Sequence, residues 1–588
     1  MRYLIIAAHL FFTAIYSSAE EPFVLEDILV IGTRLNIDNP FCISLDMEKT
    51  GILGIEDALT SNSDVDLQQR GAFGIQADFI IRGSTFQQTA VLLDGIKIND
   101  PQTAHFNCDL PAPLVLLQSI NLLPGQSSAI YGSAAMCGAI DIKTKPAEND
   151  YFFLKSYASS YNTFYSGGLL ALTFPKSYLL LSADGSSSDG YRYDMDFRRY
   201  AVALKTGCAQ NEYSYDFYAG YTEKDFGAYD FYTPGKEKPS REKTGSLFLS
   251  FVNTFFLQKD TVNISISYKR HLDDFMLTLL DPAAYRNLHI SNDTRLAFSY
   301  SSFPENGAKT VFGFSYGISS LDSSNLGKRQ EEYPGLSLET FFPLTDNSSF
   351  TAALLLEARK QLCETAESLS FSFKPDTNTD IKLSAGRSFR FPSFTELYYT
   401  DPFNTGNERL SAEKAYAVEL GIVSNFSPEV KGIISFFYRY QNNLIDWVAE
   451  GGLWKAQNIG TSDFYGTSAA FDFKVNNTDG GGISYSFTRA IAGITYVSKY
   501  ALNYPEHKLN ININLMLPFA VTLNLPALFI LRNAENSYEI LSLNVSKNIG
   551  SARLTFGVNN IFDRQYRDIA GVTRPGRTFF LACEMYLR

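Results

Sequence analysis

The sequence lacks any long apolar run after its first twenty residues, although 45% of its 588 residues are hydrophobic. A membrane-spanning helix needs about 18 or more apolar residues in a row, so a protein with several such helices is excluded. Tryptophan is scarce, with two residues, whereas phenylalanine and tyrosine number 47 and 35. This composition is typical of many short strands, either in several soluble domains or in one transmembrane β-barrel.

Positive charge, histidine and paired cysteines are also in short supply. The net charge is -12 and the pI is near 5.1, which disfavours nucleic acid as a partner because phosphate binding needs clustered cations. The five histidines are scattered and the six cysteines show no C-x-x-C spacing, so no zinc site or metal cluster is predicted. Cys42 and Cys108 could pair in an oxidising compartment or remain free.

Patterns that carry catalysis are missing as well. The sequence shows no recognisable set of nucleophile, base and oxyanion donors, and no glycine-rich phosphate loop follows a predicted strand. We therefore expect a protein that binds and passes a ligand rather than an enzyme, with no cofactor firmly indicated.

The first residues of the chain have the pattern of an export signal. Met1 and Arg2 give a positive start, residues 4–15 form an apolar core, and residues 17–19 are small, as at a cleavage site. The core is too short to span a bilayer and no cysteine follows it, so no helical or lipid anchor is predicted there. Residues 1–19 are predicted to be a signal peptide.

A strand-forming segment follows the leader. Apolar, mostly β-branched residues stand behind two carboxylates, and nothing nearby in sequence offers a hairpin partner. Such a strand can pair with the edge of a sheet in another protein. This is β-augmentation, in which main-chain hydrogen bonds provide the affinity. The alternative is an ordinary first strand of a domain. The segment consists of Glu26, Asp27, Ile28, Leu29, Val30 and Ile31.

The next stretch, rich in glycine and poor in aromatics, predicts a small α/β unit. A short helix is expected at residues 55–59 and a strand at residues 65–71. Two β-runs, residues 79–83 and 90–98, are expected to form a hairpin-like pair. Within the second run, Asp94-Gly95 predicts a tight turn in which glycine supplies a positive φ and the aspartate caps the turn.

The rest of the chain repeats an alternating pattern of strand residues. In the last segment Phe579, Leu581 and Cys583, with Met585 and Leu587, share one face, and more polar residues share the other. The first face suits lipid and the second a filled interior, which predicts a strand of a transmembrane barrel. A soluble sandwich strand could alternate too, but it would not need export and some twenty similar neighbours.

Five motifs in the glycine-rich stretch give the chain a family resemblance. Their order and spacing are similar to the plug domain of TonB-dependent outer-membrane receptors. The resemblance implies an all-β transmembrane fold, a 22-stranded antiparallel outer-membrane β-barrel with an N-terminal α/β plug domain inside. The motifs are Ile-Arg-Gly at 81–83, Leu-Leu-Asp-Gly at 92–95, and residues 120–125, 129–132 and 138–142.

The resemblance also divides the chain. Residues 20–35 correspond to the Ton box and its linker, with the Ton box at Glu26 to Ile31, residues 36–148 to the plug, and residues 149–588 to the barrel. In the family the energy-coupling protein TonB grips the Ton box across the periplasm. About 20 residues per strand are available for 22 strands, which suits strands of about ten residues with their turns.

Several barrel stretches resemble the branch that includes the cobalamin transporters. One departure is the end of the chain, because the family usually ends on an aromatic residue and here Arg588 is last. That bears on recognition by the barrel assembly machinery, not on the fold. The stretches are residues 388–399, 406–414, 419–421, 443–448, 498–505, 558–563 and 574–577.

Two plug residues are predicted to lock the plug in place. Arg82 lies between apolar strands, where an unpaired charge is costly, so it is expected to meet carboxylates of the plug or the barrel wall. The alternative is a solvated arginine at a strand end. Asp94 is the second lock residue, with a structural and not a catalytic role.

The ligand is indicated only weakly by the sequence. Four aspartates, Asp184, Asp189, Asp194 and Asp196, have oxygen-rich neighbours that suit calcium, and cobalamin transporters carry calcium-binding acidic loops at a similar place. The alternative is a solvated loop, since the spacing is not that of an EF-hand.

An aromatic loop offers a second candidate ligand site. Its residues could pack on a large planar ligand or on the barrel rim. Haem is disfavoured, because no histidine lies between His289 and His507. The loop residues are Phe226, Tyr229, Phe231 and Tyr232.

The resemblance implies TonB-dependent uptake of a scarce large ligand by a monomer embedded in outer-membrane lipid. We expect cobalamin or a related corrinoid as the ligand, with a ferric siderophore as the alternative. A passive or adhesive barrel with a vestigial plug is the other hypothesis.

Overall fold

The computed structural model describes residues 42–587 except residues 50, 234, 284, 306, 477, 493–498, 534–536 and 570. The predicted leader and the strand-forming segment at residues 26–31 lie outside the described residues. No helix within the described part of the chain is long and apolar enough to cross a membrane.

The first hundred described residues form a small α/β plug. Its elements are β1 (Ile43–Asp46), α1 (Ile55–Thr60), β2 (Val65–Gln69), β3 (Ala77–Ile81), β4 (Thr89–Leu93), β5 (Ile96–Lys97), β6 (Leu117–Pro124), α2 (Ser128–Tyr131) and β7 (Gly138–Thr144), with 3-10 turns at Phe86–Gln88, Ala104–Cys108 and Leu114–Leu116. The main sheet has the order β1-β6-β7-β4-β5, and β2 and β3 form a separate hairpin.

The predicted helix and strands of the plug are present, but one predicted pairing is wrong. β3 pairs with β2, not with β4. The reason is local, because Arg82 and Gly83 both have positive φ, 47° and 70°, and turn the chain out of the hairpin. The Asp94-Gly95 turn between β4 and β5 is confirmed, with φ of 49° and 82° and Leu93 opposite Ile96, as a two-residue type I′ turn requires.

The rest of the chain forms a closed antiparallel barrel of 22 strands, numbered here 1 to 22 in chain order. Strands 1 to 11 are Tyr151–Ser159, Thr163–Phe174, Ser177–Ser188, Phe197–Ala209, Tyr213–Gly227, Arg241–Leu257, Asp260–Met276, Arg286–Ser302, Lys309–Ser323, Gly327–Thr345 and Ser348–Arg359.

Strand 20 is interrupted at Ser542, and both of its segments pair with strand 19. Strand 22 pairs with strand 1 and closes the barrel. Strands 12 to 22 are Leu362–Phe373, Thr379–Arg390, Glu413–Ser427, Val430–Asn442, Thr461–Lys474, Gly480–Ala492, Pro505–Leu517, Val521–Arg532, Tyr538–Leu541 with Leu543–Ile549, Ala552–Asn559, and Thr578–Leu587.

The predicted alternation of strand 22 is confirmed. Phe579 and Leu581 are 47% and 58% exposed on the outer face, whereas Phe580 and Ala582 are buried. The same division runs round the barrel, so the outside is apolar and the inside meets the plug.

The two ends of the barrel differ. At the near end, where strand 1 begins and strand 22 ends, the connections are short, and one contains the 3-10 turn Pro518–Ala520. The far end carries the long loops, including residues 391–412 with helix α3 (Phe394–Tyr398). These far-end loops also form a three-stranded sheet of Asn404–Thr405, Leu453–Asn458 and Ile445–Glu450.

The largest apolar core joins the plug to one wall of the barrel. Leu59, Ile120 and Ile140 of the plug lie in one buried cluster with Tyr157 and Leu169 of strands 1 and 2. Side chains of strands 3 to 6 and 22 extend the same cluster. The plug and this wall therefore share a single hydrophobic core.

Candidate functional site

Arg82 lies at the centre of the contact between plug and barrel. It follows β3 and is 5% exposed. Its guanidinium donates to Asp64 of the plug at 3.1 Å and to Glu419 of strand 14 at 2.7 Å. Two hydroxyls of the barrel wall, Ser435 and Ser468, accept from it at 2.7 and 3.0 Å. The buried charge has the carboxylates that the sequence led us to expect.

The charge state of Arg82 follows from these partners. Burial alone would lower its pKa, but the charges of Asp64 and Glu419 outweigh burial and raise the pKa above its ordinary value. Arg439 of strand 15 adds a bond to the Arg82 carbonyl at 3.1 Å. Glu419 belongs to the motif at residues 419–421. Its pairing with Arg82 could not be predicted from the sequence, because the two residues are 337 positions apart.

Asp94 contacts the barrel rather than capping its own turn. The Gly95 amide donates to Asp141 at 2.9 Å, whereas the Asp94 carboxylate accepts from Thr144 and from Lys205 of strand 4, at 3.0 Å for the lysine. Burial alone would raise the pKa of Asp94, but Lys205 and other cationic and hydroxyl neighbours lower it. The capping expectation was therefore wrong, since β7 supplies the cap.

A second polar network lies in the half of the lumen next to the far end of the barrel. Asp78 of β3 accepts from Arg70 at 2.8 Å and contacts His105 at 2.6 Å. Asp109 contacts Lys224 of strand 5 and His271 of strand 7, both at 2.8 Å. Burial alone would raise the pKa of Asp109, but Lys224 and His271 hold it well below its ordinary value. No sequence pattern indicated this network, because its plug and barrel members lie far apart in the chain.

The longest barrel motif of the sequence forms a buried ion triad. Arg390 donates to Glu396 at 2.8 and 3.0 Å and to Glu413 at 2.5 Å. Glu413 also accepts from the Ile445 amide at 2.6 Å and from Gln88 of the plug at 3.1 Å. The two motif segments thus fold onto each other and fix the loop of residues 391–412.

The same loop is bonded to the plug apex through the backbone. The first amides of α3, Phe394 and Thr395, donate to the carbonyls of Pro101 and Gln102 at 3.1 and 3.0 Å. Ser393 caps the helix. A shift of this loop would therefore pull directly on plug residues 101–102.

The four aspartates suggested as calcium ligands are not brought together. Asp184 faces the plug and pairs with Arg199 at 2.6 Å, and Asp196 pairs with Arg241 at 2.8 Å. Asp189 accepts from Asn162. Asp194 lies in a turn, where burial raises its pKa to about 6. The residues therefore do not fit a calcium site, and no group of three metal-ligating side chains occurs among the described residues.

The cysteines remain unpaired. Cys42 and Cys108, whose pairing was left open by the sequence, both carry free thiols. Cys108 is buried in the plug and accepts from the Ala77 amide at 3.4 Å. Burial raises its pKa to about 12, so this thiol is held in its unreactive protonated form.

The aromatic loop divides into buried and accessible residues. Phe226 and Phe231 are buried in a cluster with Ile75 of the plug. Tyr229 is half-buried, and Tyr232 is 37% exposed with its hydroxyl bonded to Glu242 at 2.9 Å. Only the two tyrosines therefore present surface to a ligand.

A cavity lies between the plug and strands 10 to 16 of the barrel wall. It measures about 200 Å³ and reaches from Ile43 of β1 to Arg82. On the barrel side it is lined by strands 10 to 16, mostly by serine and other small side chains.

The barrel and the plug each match a known protein family. Residues 144–561 match the family described as TonB dependent receptor-like, beta-barrel, and residues 44–139 match the TonB-dependent receptor plug domain. The vitamin B12 transporter BtuB of Vibrio vulnificus (strain YJ016) is 21% identical over 445 residues, which cover 72% of this chain and 70% of that protein.

Solved structures share the fold at low identity. The siderophore receptor PirA from Pseudomonas aeruginosa superposes with a TM-score of 0.76 at 15% identity, covering 94% of this chain and all of that one. PirA from Acinetobacter baumannii gives 0.79 at 12%, covering 93% of this chain and 98% of that chain. The FrpB iron transporter from Neisseria meningitidis gives 0.76 at 12%, covering 91% and 96%.

Proposed function

The chain belongs to the TonB-dependent receptor family, and from that premise we propose that it is an energised outer-membrane transporter of cobalamin or a related corrinoid. Receptors of this family sit in the outer membrane, bind a small-molecule ligand and interact with TonB. The near end of the barrel then faces the periplasm and the far-end loops face the medium.

The observation that carries the transport proposal is the filled lumen. Buried ion pairs join the plug to the barrel wall, and the pair of Arg82 with Glu419, which Asp64 of the plug supports, is the most central. No large ligand can pass while these contacts hold, so transport requires work on the plug. Removing one partner of a buried ion pair costs about 3–5 kcal/mol, because the other charge is left unpaired, and moving the plug away from the wall leaves both charges unpaired. Arg82 and Asp94 are thus the proposed lock.

The corrinoid proposal is supported by the likeness to the vitamin B12 transporter and by the barrel motifs. Tyr229 and Tyr232, the accessible residues of the aromatic loop, are the proposed ligand contacts, and Tyr229 packs against the cluster that contains Phe226 and Phe231. A ferric siderophore is the second candidate, because fold neighbours such as PirA are siderophore receptors.

A titration separates the two ligands. Purified protein in detergent is titrated with cyanocobalamin and, separately, with ferric enterobactin, and binding is followed by heat. We expect saturable binding of cyanocobalamin that weakens when Tyr229 and Tyr232 are changed to alanine. Binding of ferric enterobactin alone would replace the corrinoid proposal with the siderophore one.

Deletion of residues 26–31, the proposed signal to TonB, tests energised transport against a passive or adhesive barrel. For a TonB-dependent transporter the deletion abolishes uptake of radiolabelled ligand by whole cells and leaves surface binding unchanged. Uptake equal to that of the parent would show that the barrel works without energy. Deletion of residues 36–41, which leaves the segment in place, is the matched control.

A further inference from the structure

The plug is attached unevenly round the barrel. On strands 1 to 7, cationic side chains donate to plug main-chain carbonyls: Lys155 to Ile52 at 2.7 Å, Arg199 to Ala112 at 3.0 Å, Lys224 to Ile75 at 2.9 Å and Lys269 to Ile98 at 2.7 Å. The largest apolar core lies on the same side. The approach is close as well, since a Cβ at Gly167 would lie 2.9 Å from Val115 of the plug.

A smaller set of anchors follows on strands 17 and 18. Ser486 donates to Ser63 and Lys508 donates to Asn62 and Val65 of the plug, at 2.6 to 2.8 Å. Plug residues 62–65 are therefore held by these strands. The cavity occupies the sector between the two sets of anchors, where the plug is held at Arg82 by strands 14 to 16.

The barrel wall of that sector is built from small hydroxyl side chains. Serines of strands 11, 12, 13, 15 and 16 line the cavity together with the charged Glu339, Lys382 and Glu419, whereas on strands 1 to 7 tyrosine, leucine and lysine side chains pack against the plug. Small side chains leave the cavity open, and their hydroxyls suit a hydrated, hydrogen-bonding ligand rather than an apolar one. The cavity serines include Ser349, Ser368, Ser370, Ser384, Ser435 and Ser468.

The plug segment that faces these serines is residues 123–131. Both polar atoms of the Gln126 amide are buried against the cavity and have no hydrogen-bond partner among the described residues. The segment touches the wall through Ala129, packed on Ala353 and Leu355, and through a 3.4 Å bond from Ser128 to the Phe389 carbonyl. These contacts involve smaller side chains than those on strands 1 to 7.

From this asymmetry we infer that the ligand leaves along the serine-lined wall of strands 11 to 16, while the plug body stays attached to strands 1 to 7. The inference rests on the proposed transport function and adds the route. A cavity of about 200 Å³ is smaller than the roughly 300–1,000 Å³ of ligand pockets, so the passage opens only when residues 123–131 move. Arg82 closes its outer end.

Filling the passage tests the route. Ser370 and Ser384 lie directly opposite each other on strands 12 and 13, and the double variant S370F/S384F places two rings in the passage. Ser156 and Ser166 form an equivalent pair on the outer face of strands 1 and 2, so S156F/S166F is the matched control. We expect at least tenfold slower uptake of radiolabelled cyanocobalamin for the lumen pair, with surface binding unchanged and parental uptake for the control. Parental uptake by the lumen variant would overturn the route.

A reversible tether tests whether the plug body stays in place. A Cβ at position 167 would lie 2.9 Å from Cγ1 of Val115, so V115C/G167C brings two thiols together and, once oxidised, ties the plug to strand 2. We expect V115C/G167C to take up cyanocobalamin equally well when oxidised and when reduced. Loss of uptake in the oxidised form, restored by dithiothreitol, would show that the whole plug leaves this wall and would overturn the inference.

A labelling measurement needs no ligand and so separates this inference from the proposed function. In a background with the six native cysteines changed to serine, S384C and S370C are treated with a charged methanethiosulfonate reagent in isolated outer membranes. Ser246, a buried lumen serine of strand 6, gives the control variant S246C. We expect modification at positions 370 and 384 at least tenfold faster than at 246. Equal rates would show that no open sector exists, whatever ligand the protein carries.

Discussion

At the scale of single residues, the lumen is organised by charges that would be unstable alone. Arg82 is stabilised because two carboxylates and two hydroxyls surround its guanidinium. Because Arg82 is buried, loss of a carboxylate partner leaves a buried charge without compensation. Residues of this kind are sensitive to conservative replacement in a way that surface ion pairs are not.

Replacing Arg82 by methionine should loosen the plug. The substitution keeps the volume but leaves Asp64 and Glu419 without their cation, which we expect to destabilise the plug by about 3–5 kcal/mol. Faster hydrogen exchange of β2 and β3 in the detergent-solubilised protein measures this effect. The double variant R82M/E419Q should recover part of the loss. Unchanged exchange in R82M would contradict the lock.

Glu56 should make the plug sensitive to pH. Its carboxylate lies against Gly54 and Gly74, and burial, with Asp57 beside it, raises its pKa from 4.5 to about 7. Between these values the folded state binds more protons than the unfolded state, so stability falls as the pH rises from 4.5 through 7. The loss is about 1–3 kcal/mol.

The measurement for Glu56 is hydrogen exchange of α1 at pH 5 and pH 8 in the parent and in E56Q, which cannot titrate. Comparing the two proteins at each pH removes the intrinsic pH dependence of exchange. We expect the parent to be less protected than E56Q at pH 8 and to approach it at pH 5. A constant difference between the two proteins would argue against titration of Glu56.

At the scale of elements, the far-end loop of residues 391–412 is held by the triad of Arg390, Glu396 and Glu413. All three side chains are buried, and α3 is bonded to the plug apex. Changing Glu413 to glutamine removes one charge and leaves Arg390 partly unpaired. We expect proteinase K to cut this loop in intact cells about tenfold faster.

The control for the loop experiment is E450Q, which makes the same chemical change at an exposed position in the neighbouring three-stranded sheet. Its cleavage rate should match that of the parent. If E450Q and E413Q are cut equally fast, the triad does not hold the loop.

Elements that depend on local pattern could be predicted from the sequence, and contacts between distant segments could not. The strands near Leu67 and Phe79, helix α1, the Asp94-Gly95 turn and the alternation of strand 22 follow from periodicity and turn chemistry. The partner of β3 was missed because two positive φ values at Arg82 and Gly83 redirect the chain, and a positive φ at arginine has no sequence signal.

The candidate site shows the same limit. The need of Arg82 for carboxylates is a matter of burial and charge, so it was predictable, whereas the identity of Glu419 depends on barrel register. The aspartates at 184 and 196 looked like a metal site because they are close in sequence. In the fold, however, each pairs with an arginine of another strand.

At the scale of the whole molecule, barrel closure is independent of the plug. Every barrel strand pairs with barrel strands on both sides, and strand 22 completes the circle with strand 1. Deleting residues 36–148 should therefore leave an assembled barrel with an open lumen. We expect cells that express it to become sensitive to vancomycin, with the full-length protein as the control. Absence of the shortened protein from outer-membrane fractions would show that the plug is needed for assembly.

The cations of strands 1 to 7 have one more consequence. They donate hydrogen bonds to main-chain carbonyls of the plug, and every amino acid has the same main-chain carbonyl. These cations are Lys155, Arg199, Lys224 and Lys269. Plug side chains at these positions can therefore be substituted during evolution without loss of these hydrogen bonds, provided that the backbone conformation is unchanged. The plug of a distant homologue should therefore bind inside this barrel. New ligand specificities could then arise by exchange of whole plug domains as well as by stepwise mutation.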